Sequence, residues 1–210
     1  LRRHALGVIR MLVEKDLPLD LETLLVSTLP AFGDKIEDAT TALADFMYDR
    51  LAGNLREQGF SAQEVDAVLA HRPQRLADVQ KRLEAVRAFA ALPEAQALAA
   101  ANKRVGNILK KSDAPVSAKV DEAVLQEQAE KDLYAALQTV APKANAQFAE
   151  GDYTASLQTL AALRAPVDAF FEHVMVNAED PALKANRLGL LASLHDAMNR
   201  VADLSRLVAA

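Results

Sequence analysis

The sequence predicts an all-α fold, and three observations carry that reading. Strong helix formers (Ala, Leu, Glu, Lys, Gln) fill long stretches interrupted by only seven glycines and eight prolines. Runs of β-branched residues are nearly absent, so no segment reads as a strand. Apolar residues recur at three and four positions along most of the chain, the spacing that lines one face of a helix. At 210 residues and 51% hydrophobic content there is ample material for a core.

Leu6, Ile9, Met11, Leu12 and Val13 mark a first helix that stops near Asp16, because Pro18 disfavours helical geometry at Leu17. A short second helix takes Asp20 as N-cap, carries Leu21, Leu24, Leu25 and Leu29, and ends by Pro30 and Gly33. Ile36, Ala39, Leu43, Phe46, Met47, Leu51 and Leu55 predict a long amphipathic helix from Asp34 to Gln58, with Gly59 as its C′ residue. Ser61 and Glu64 form a capping box that opens a helix through Val65, Val68 and Leu69. After Pro73, the stripe Leu76, Val79, Leu83, Val86 and Phe89 or Ala90 runs up to Leu92. Leu92-Pro93 is the expected boundary between a unit of residues 1–92 and one of residues 93–210.

The second unit opens with a helix that reaches Lys111, followed by the polar connector SDAPVS (Ser112 to Ser117). Val120 to Gln128 carries no decisive pattern. Leu133, Leu137, Val140, Ala144 and Phe148 define a helix that tolerates or kinks at Pro142. Gly151-Asp152 is a stop followed by a cap, and Tyr153, Leu157, Leu160 and Leu163 occupy the next helix. Pro166 starts or kinks another, with Val167, Phe170, Phe171 and Val174 inward. Asp180-Pro181, an N-cap and a proline at the first helical position, launches a last helix expected to continue through Leu204.

The stretch ANKRVGNILKK (Ala101 to Lys111) stands out chemically. At about 100° per residue, Leu98, Ala101, Val105 and Ile108 form an apolar stripe, and Lys103, Arg104, Asn107, Lys110 and Lys111 gather opposite. No Asp or Glu occurs between Glu94 and Asp113, so this helix is a positive island in a chain of net charge −5. That global charge argues against a surface wholly wrapped in nucleic acid and leaves room for a local basic patch. Asn102 and Asn107 are interleaved with the cations, and Asn186, Arg187, Arg200 and Arg206 add donors on the last helix. Cations fix phosphates and amide side chains read base edges, which is the chemistry of nucleic-acid recognition. Phe170-Phe171 offers a stacking surface for unpaired bases, although only one of two adjacent helical residues can face fully outward.

Other chemistries find little support. With no cysteine there is no disulfide or thiol chemistry, which fits a reducing cytosol. No apolar run approaches the roughly 20 residues that span a bilayer. LRRHALGVIRML lacks a small-residue cleavage site, runs into Glu14-Lys15-Asp16 and reads as an ordinary helix; the missing initiator Met suggests part of a longer chain. Neither glycine-rich phosphate loop is present. His195-Asp196 spells the dipeptide of metal-dependent phosphohydrolases, but its only available partners are His173 and Asp203, the latter on the same expected helix, so a surface or helix-interface histidine is the better reading. Glu179-Asp180 reads as capping and dipole complement at a helix start.

Several blocks, in order, carry a family resemblance. ANKRVGNILKK, PVDAFFEHVMVNAEDPALKANRLGLLASL (Pro166 to Leu194) and RVADLS (Arg200 to Ser205) resemble the C-terminal anticodon-binding (DALR-like) helical domain of bacterial heterotetrameric glycyl-tRNA synthetase β subunits. LRRHALGVIRMLVEKDLPLDL, DFMYDRLAGNLREQGF (Asp45 to Phe60) and VLAHRPQRLADVQKRLEAV (Val68 to Val86) look like the helical stretch preceding it, which includes an HD-like region. No intact His-Asp set stands in residues 1–92, where neither His4 nor His71 is followed by Asp. The resemblance implies that tRNA(Gly) is bound at its anticodon region. It also implies a cytoplasmic α2β2 assembly in which an α subunit holds the class II centre with ATP and Mg²⁺. This chain is then expected to hold no catalytic residue, metal or cofactor, and to meet neither membrane nor DNA. Lys103, Arg104, Lys110 and Lys111 are expected on phosphates, with Asn107, Asn186 and Arg187 on bases or ribose and Arg200 as a further donor. The alternative is a helical module that docks another subunit or domain and binds no RNA.

Overall fold

The computed structural model describes residues 1–112 and 115–208, so the SDAPVS connector is described only in part. The fold is all-α: among the described residues helices are joined by turns, with one isolated bridge between Asp20 and Arg75. The chain divides into two compact units, Leu1–Glu84 and Ala85–Ala210. Their boundary falls inside a continuous helix, before the Leu92-Pro93 link where the sequence suggested it. That link is only the turn to the next helix, with the Ala95 amide donating to the Leu92 carbonyl at 3.1 Å.

The first unit contains α1 (Arg2–Glu14), α2 (Leu21–Thr28), α3 (Thr40–Glu57), α4 (Ala62–Leu69) and the start of α5 (Ala77–Ala90). α3 is central and packs against α1, α2 and α4 through the buried Ala44, Met47, Leu51 and Leu55. α1 ends where expected, and Asp16 takes a left-handed φ of 47° to turn the chain. The α2 start is satisfied from afar: the Leu21 amide donates to the Gln74 carbonyl and the Glu22 amide to Gln74 Oε1, both at 3.0 Å. Asp20 makes no side-chain cap there.

α3 begins later than its apolar pattern suggests. Gly33–Lys35 is a 3₁₀ turn, Ile36 is 47% exposed, and the Asp38 carboxylate accepts the Thr40 amide at 2.9 Å to set the true start. A short polar side chain competing for a backbone amide outweighs hydrophobic spacing here. The α3 end follows expectation, with Gly59 at φ 93° and the Phe60 amide donating to the Leu55 carbonyl. The Ser61/Glu64 capping box is present.

The second unit contains α6 (Ala95–Lys110), α7 (Gln128–Ala149), α8 (Tyr153–Leu160), α9 (Arg164–His173) and α10 (Pro181–Met198). α7 packs against α8, α9 and α10, while α6 lies against α9, α10 and the closing 3₁₀ turn Leu204–Leu207. Fully buried Leu133, Leu157, Leu163, Phe170 and Leu190 fill the centre. α7 runs through the exposed Pro142, and Pro166 sits in the first turn of α9, where a backbone N–H has no intrahelical acceptor. Asp180 caps α10 through the amides of Ala182 and Leu183.

α10 stops at Met198, short of the expected Leu204. Asn199 intervenes: its Nδ2 donates to the His195 carbonyl at 2.7 Å, and its Oδ1 accepts the Leu204 amide at 3.2 Å. The helix is thereby ended and the chain turned into the final 3₁₀ segment.

Residues 115–127, which take in the end of the expected polar connector and most of the indecisive Val120 to Gln128, form a strap over α10. The Asp121 amide donates to Asn186 Oδ1 at 2.7 Å, and Asn186 Nδ2 returns a bond to the Asp121 carbonyl at 3.0 Å. The strap passes so close to Gly189 that a Cβ there would lie 2.1 Å from the Lys119 carbonyl oxygen. Because the obstacle is backbone, Gly189→Ala is expected to displace the strap and cost about 1–3 kcal/mol. Urea unfolding measures this, with Gly106→Ala as the tolerated control, its nearest neighbour being His195 Nε2 at an ordinary 3.6 Å.

Candidate nucleic-acid interface

α6 is two-sided. Leu98, Ala99, Asn102 and Val105 are buried, whereas Lys103, Arg104, Asn107, Lys110 and Lys111 are all exposed. With no carboxylate between Glu94 and Asp113, α6 itself contains no acidic residue. Among the described residues none of these four cations forms an ion pair.

Arg104 is held in a particular way. Its guanidinium carbon lies 4.2 Å from the centroid of the Phe171 ring on α9. Phe171 is half-buried and meets the fully buried Phe170 edge-on, at 5.6 Å and 82°. The aromatic pair therefore divides as adjacent helical positions must, one ring in the core and one at the rim. What sequence reasoning missed is that the rim ring carries a cation from another helix.

Three expected contributors are placed elsewhere. Asn102 is fully buried and exchanges two amide hydrogen bonds with Asn199, at 2.8 and 2.9 Å, so it locks α6 to the end of α10 and does not stand among the cations. Asn186 is spent on the strap. Arg187 is buried: its Nε donates to Glu130 Oε1 at 2.6 Å and its Nη1 to the Met175 carbonyl at 2.8 Å. Neither Asn186 nor Arg187 can meet a base or ribose without dismantling the bundle, and both are corrected to structural roles.

Arg200 is exposed but turns toward α7, lying over Phe148 at 4.8 Å and donating to Asn145 Oδ1 at 3.0 Å. Arg206 pairs with Asp203 at 3.0 Å. His195 packs beside Gly106 at the α6–α10 crossing. Among the described residues no group of three or more His, Asp or Glu side chains comes together as a metal site. Nor is any helix among them long and apolar enough to cross a membrane.

An exposed basic helix face on an all-α bundle offers a surface suited to phosphates. Residues 98–204 match the DALR anticodon binding domain, and residues 1–70 match the glycyl-tRNA synthetase beta subunit family. The chain belongs to the DALR anticodon-binding domain family. Over 209 residues it is 88% identical to the glycine–tRNA ligase beta subunit of Delftia acidovorans, and over 210 residues 77% identical to that of Paracidovorax citrulli. The Methylobacillus flagellatus subunit is 64% identical over 211 aligned positions. All of this chain is covered in each case, and it spans 30% of each relative's length.

The structural assignment of Arg187 is open to test. Removing one partner of a buried ion pair leaves the other charged and unsatisfied, so Arg187→Met is expected to cost about 3–5 kcal/mol in urea unfolding. Burial pushes the Glu130 carboxyl up, but hydrogen bonds from Arg187 and from the Glu127 and Gln126 amides outweigh it and hold the group below its ordinary range. A carboxyl so lowered stabilises the fold fully above the unfolded value of about pH 4.3 and loses that contribution as pH falls through the folded one. Arg187→Met should flatten this acid limb.

Proposed function

We propose that this chain is the tRNA-reading part of a glycine–tRNA ligase β subunit, binding the anticodon region of tRNA(Gly) in support of ATP-dependent glycylation. The observation that carries the reading is the cationic face of α6, without an ion-pair partner among the described residues, which lies inside the residues matching the anticodon-binding domain. Glycine activation, with its ATP and Mg²⁺, is assigned to a separate α subunit in a cytoplasmic α2β2 assembly, and this chain contributes binding. The docking-module reading has no observation of its own to favour it.

In this mechanism Lys103, Arg104, Lys110 and Lys111 displace counterions from the phosphates of the anticodon stem and loop, and Asn107 offers an amide to a base or ribose edge. For single-stranded RNA each phosphate contact adds about 0.7 to the slope of log K against log salt. Replacing the four cations by Ala in the complete subunit should therefore weaken tRNA(Gly) binding and flatten that slope by about 2–3. Filter binding at several salt concentrations measures it, and an unaltered slope removes this face from the model.

A further inference from the structure

The α6 face holds one cation that differs from the rest. Lys103, Lys110 and Lys111 are flexible point charges, whereas Arg104 is a planar group laid over an aromatic ring that is itself braced by a core ring. Among the described residues the Arg104 guanidinium has neither an ion-pair partner nor a hydrogen-bond acceptor, and the residue is exposed. Arg200 over Phe148 is the natural comparison, but its guanidinium is engaged with Asn145. Much of the side-chain ordering that a stacked contact requires has thus already been met at Arg104 before any ligand arrives.

We propose that Arg104 on Phe171 is a stacking platform for one unpaired base of the bound RNA, with Asn107, one turn further along α6, placed to hydrogen-bond that base's edge. The inference rests on the proposed tRNA-binding role and deepens it by naming the contact that selects unpaired nucleotides. Bases in a duplex keep both faces covered, so only a loop or bulge nucleotide can lie on a guanidinium plane. Every base has a π-face, so the platform selects exposure, and identity falls to the Asn107 amide. Lys103, Lys110 and Lys111 hold the flanking phosphates.

The test uses the complete subunit in its assembled synthetase, with transcribed tRNA(Gly) and a set of tRNA(Gly) molecules each carrying one abasic anticodon-loop position. Arg104→Lys keeps the charge and removes the plane; it should weaken binding about tenfold with no change in salt slope. At the abasic position that removes the stacked base, Arg104→Lys should cause no further loss. Phe171→Leu keeps an apolar rim and should weaken binding in the same direction, with the same abasic partner. Native-like affinity in Arg104→Lys, or losses that add at every abasic position, would overturn the platform. If Ala at Lys103, Lys110 and Lys111 also leaves the salt slope unaltered, the RNA-binding role itself falls; if that variant flattens the slope and Arg104→Lys does nothing, only the platform falls.

Discussion

The second unit is organised by one buried ion pair. Taking the Glu130 carboxylate and the Arg187 guanidinium out of water is costly, and their mutual attraction offsets this only when the remaining donors and acceptors are satisfied as well. Here they are. Glu130 Oε1 accepts from Arg187, Oε2 accepts the amides of Gln126 and Glu127 at 3.0 and 2.8 Å, and Arg187 donates onward to the Met175 carbonyl. One carboxylate thus caps the start of α7, anchors α10 and, through Arg187, fixes the link from α9 to α10. The positions of α9 and α10 follow, and those are the helices on which α6 rests.

What remains is the rotation of α6 about its own axis, which decides whether its charges face out. Leu98 and Val105 would permit some slippage, because apolar contact is not directional. The Asn102–Asn199 pair does not. The buried Asn102 amide and the half-buried Asn199 amide satisfy each other only in one register, and turning α6 by a single residue would bring Lys103 into the place now occupied by Asn102. The polar pair inside the bundle therefore fixes the polar face outside it.

These two devices also explain which parts of the molecule could be read from the sequence. Features governed by neighbours within one turn were legible: the Ser61/Glu64 box, the Gly59 stop, the Asp152 and Asp180 caps and the sidedness of α6. Features governed by distant partners were not. Gln74 supplies the acceptors for the α2 start, Asn199 ends α10 early, and Arg187 meets a carboxylate 57 positions away. In one dimension Arg187 and Arg104 are equivalent cations. Only the fold places one against Glu130 in the core and the other on Phe171 at the rim. The Asp38 carboxylate shows that local chemistry can also be overlooked when a long apolar period runs through it.

The charge distribution gives the basic face its meaning. Several arginines elsewhere are answered by carboxylates, as in Arg56–Asp66, Arg72–Asp45, Arg75–Asp16 and Arg164–Asp168. The chain has 29 acidic and 24 basic residues, yet no carboxylate falls between Glu94 and Asp113, so the four exposed cations of this stretch stand together without an acidic residue in α6 itself. At physiological salt, interactions beyond a Debye length of about 8 Å are largely screened. On the proposed tRNA-binding reading, a phosphate touching α6 would therefore be governed by the nearby lysines and Arg104. On the same reading, a basic face on a chain of net charge −5 would favour one placement, since a uniformly basic protein would bind as tightly in many wrong positions.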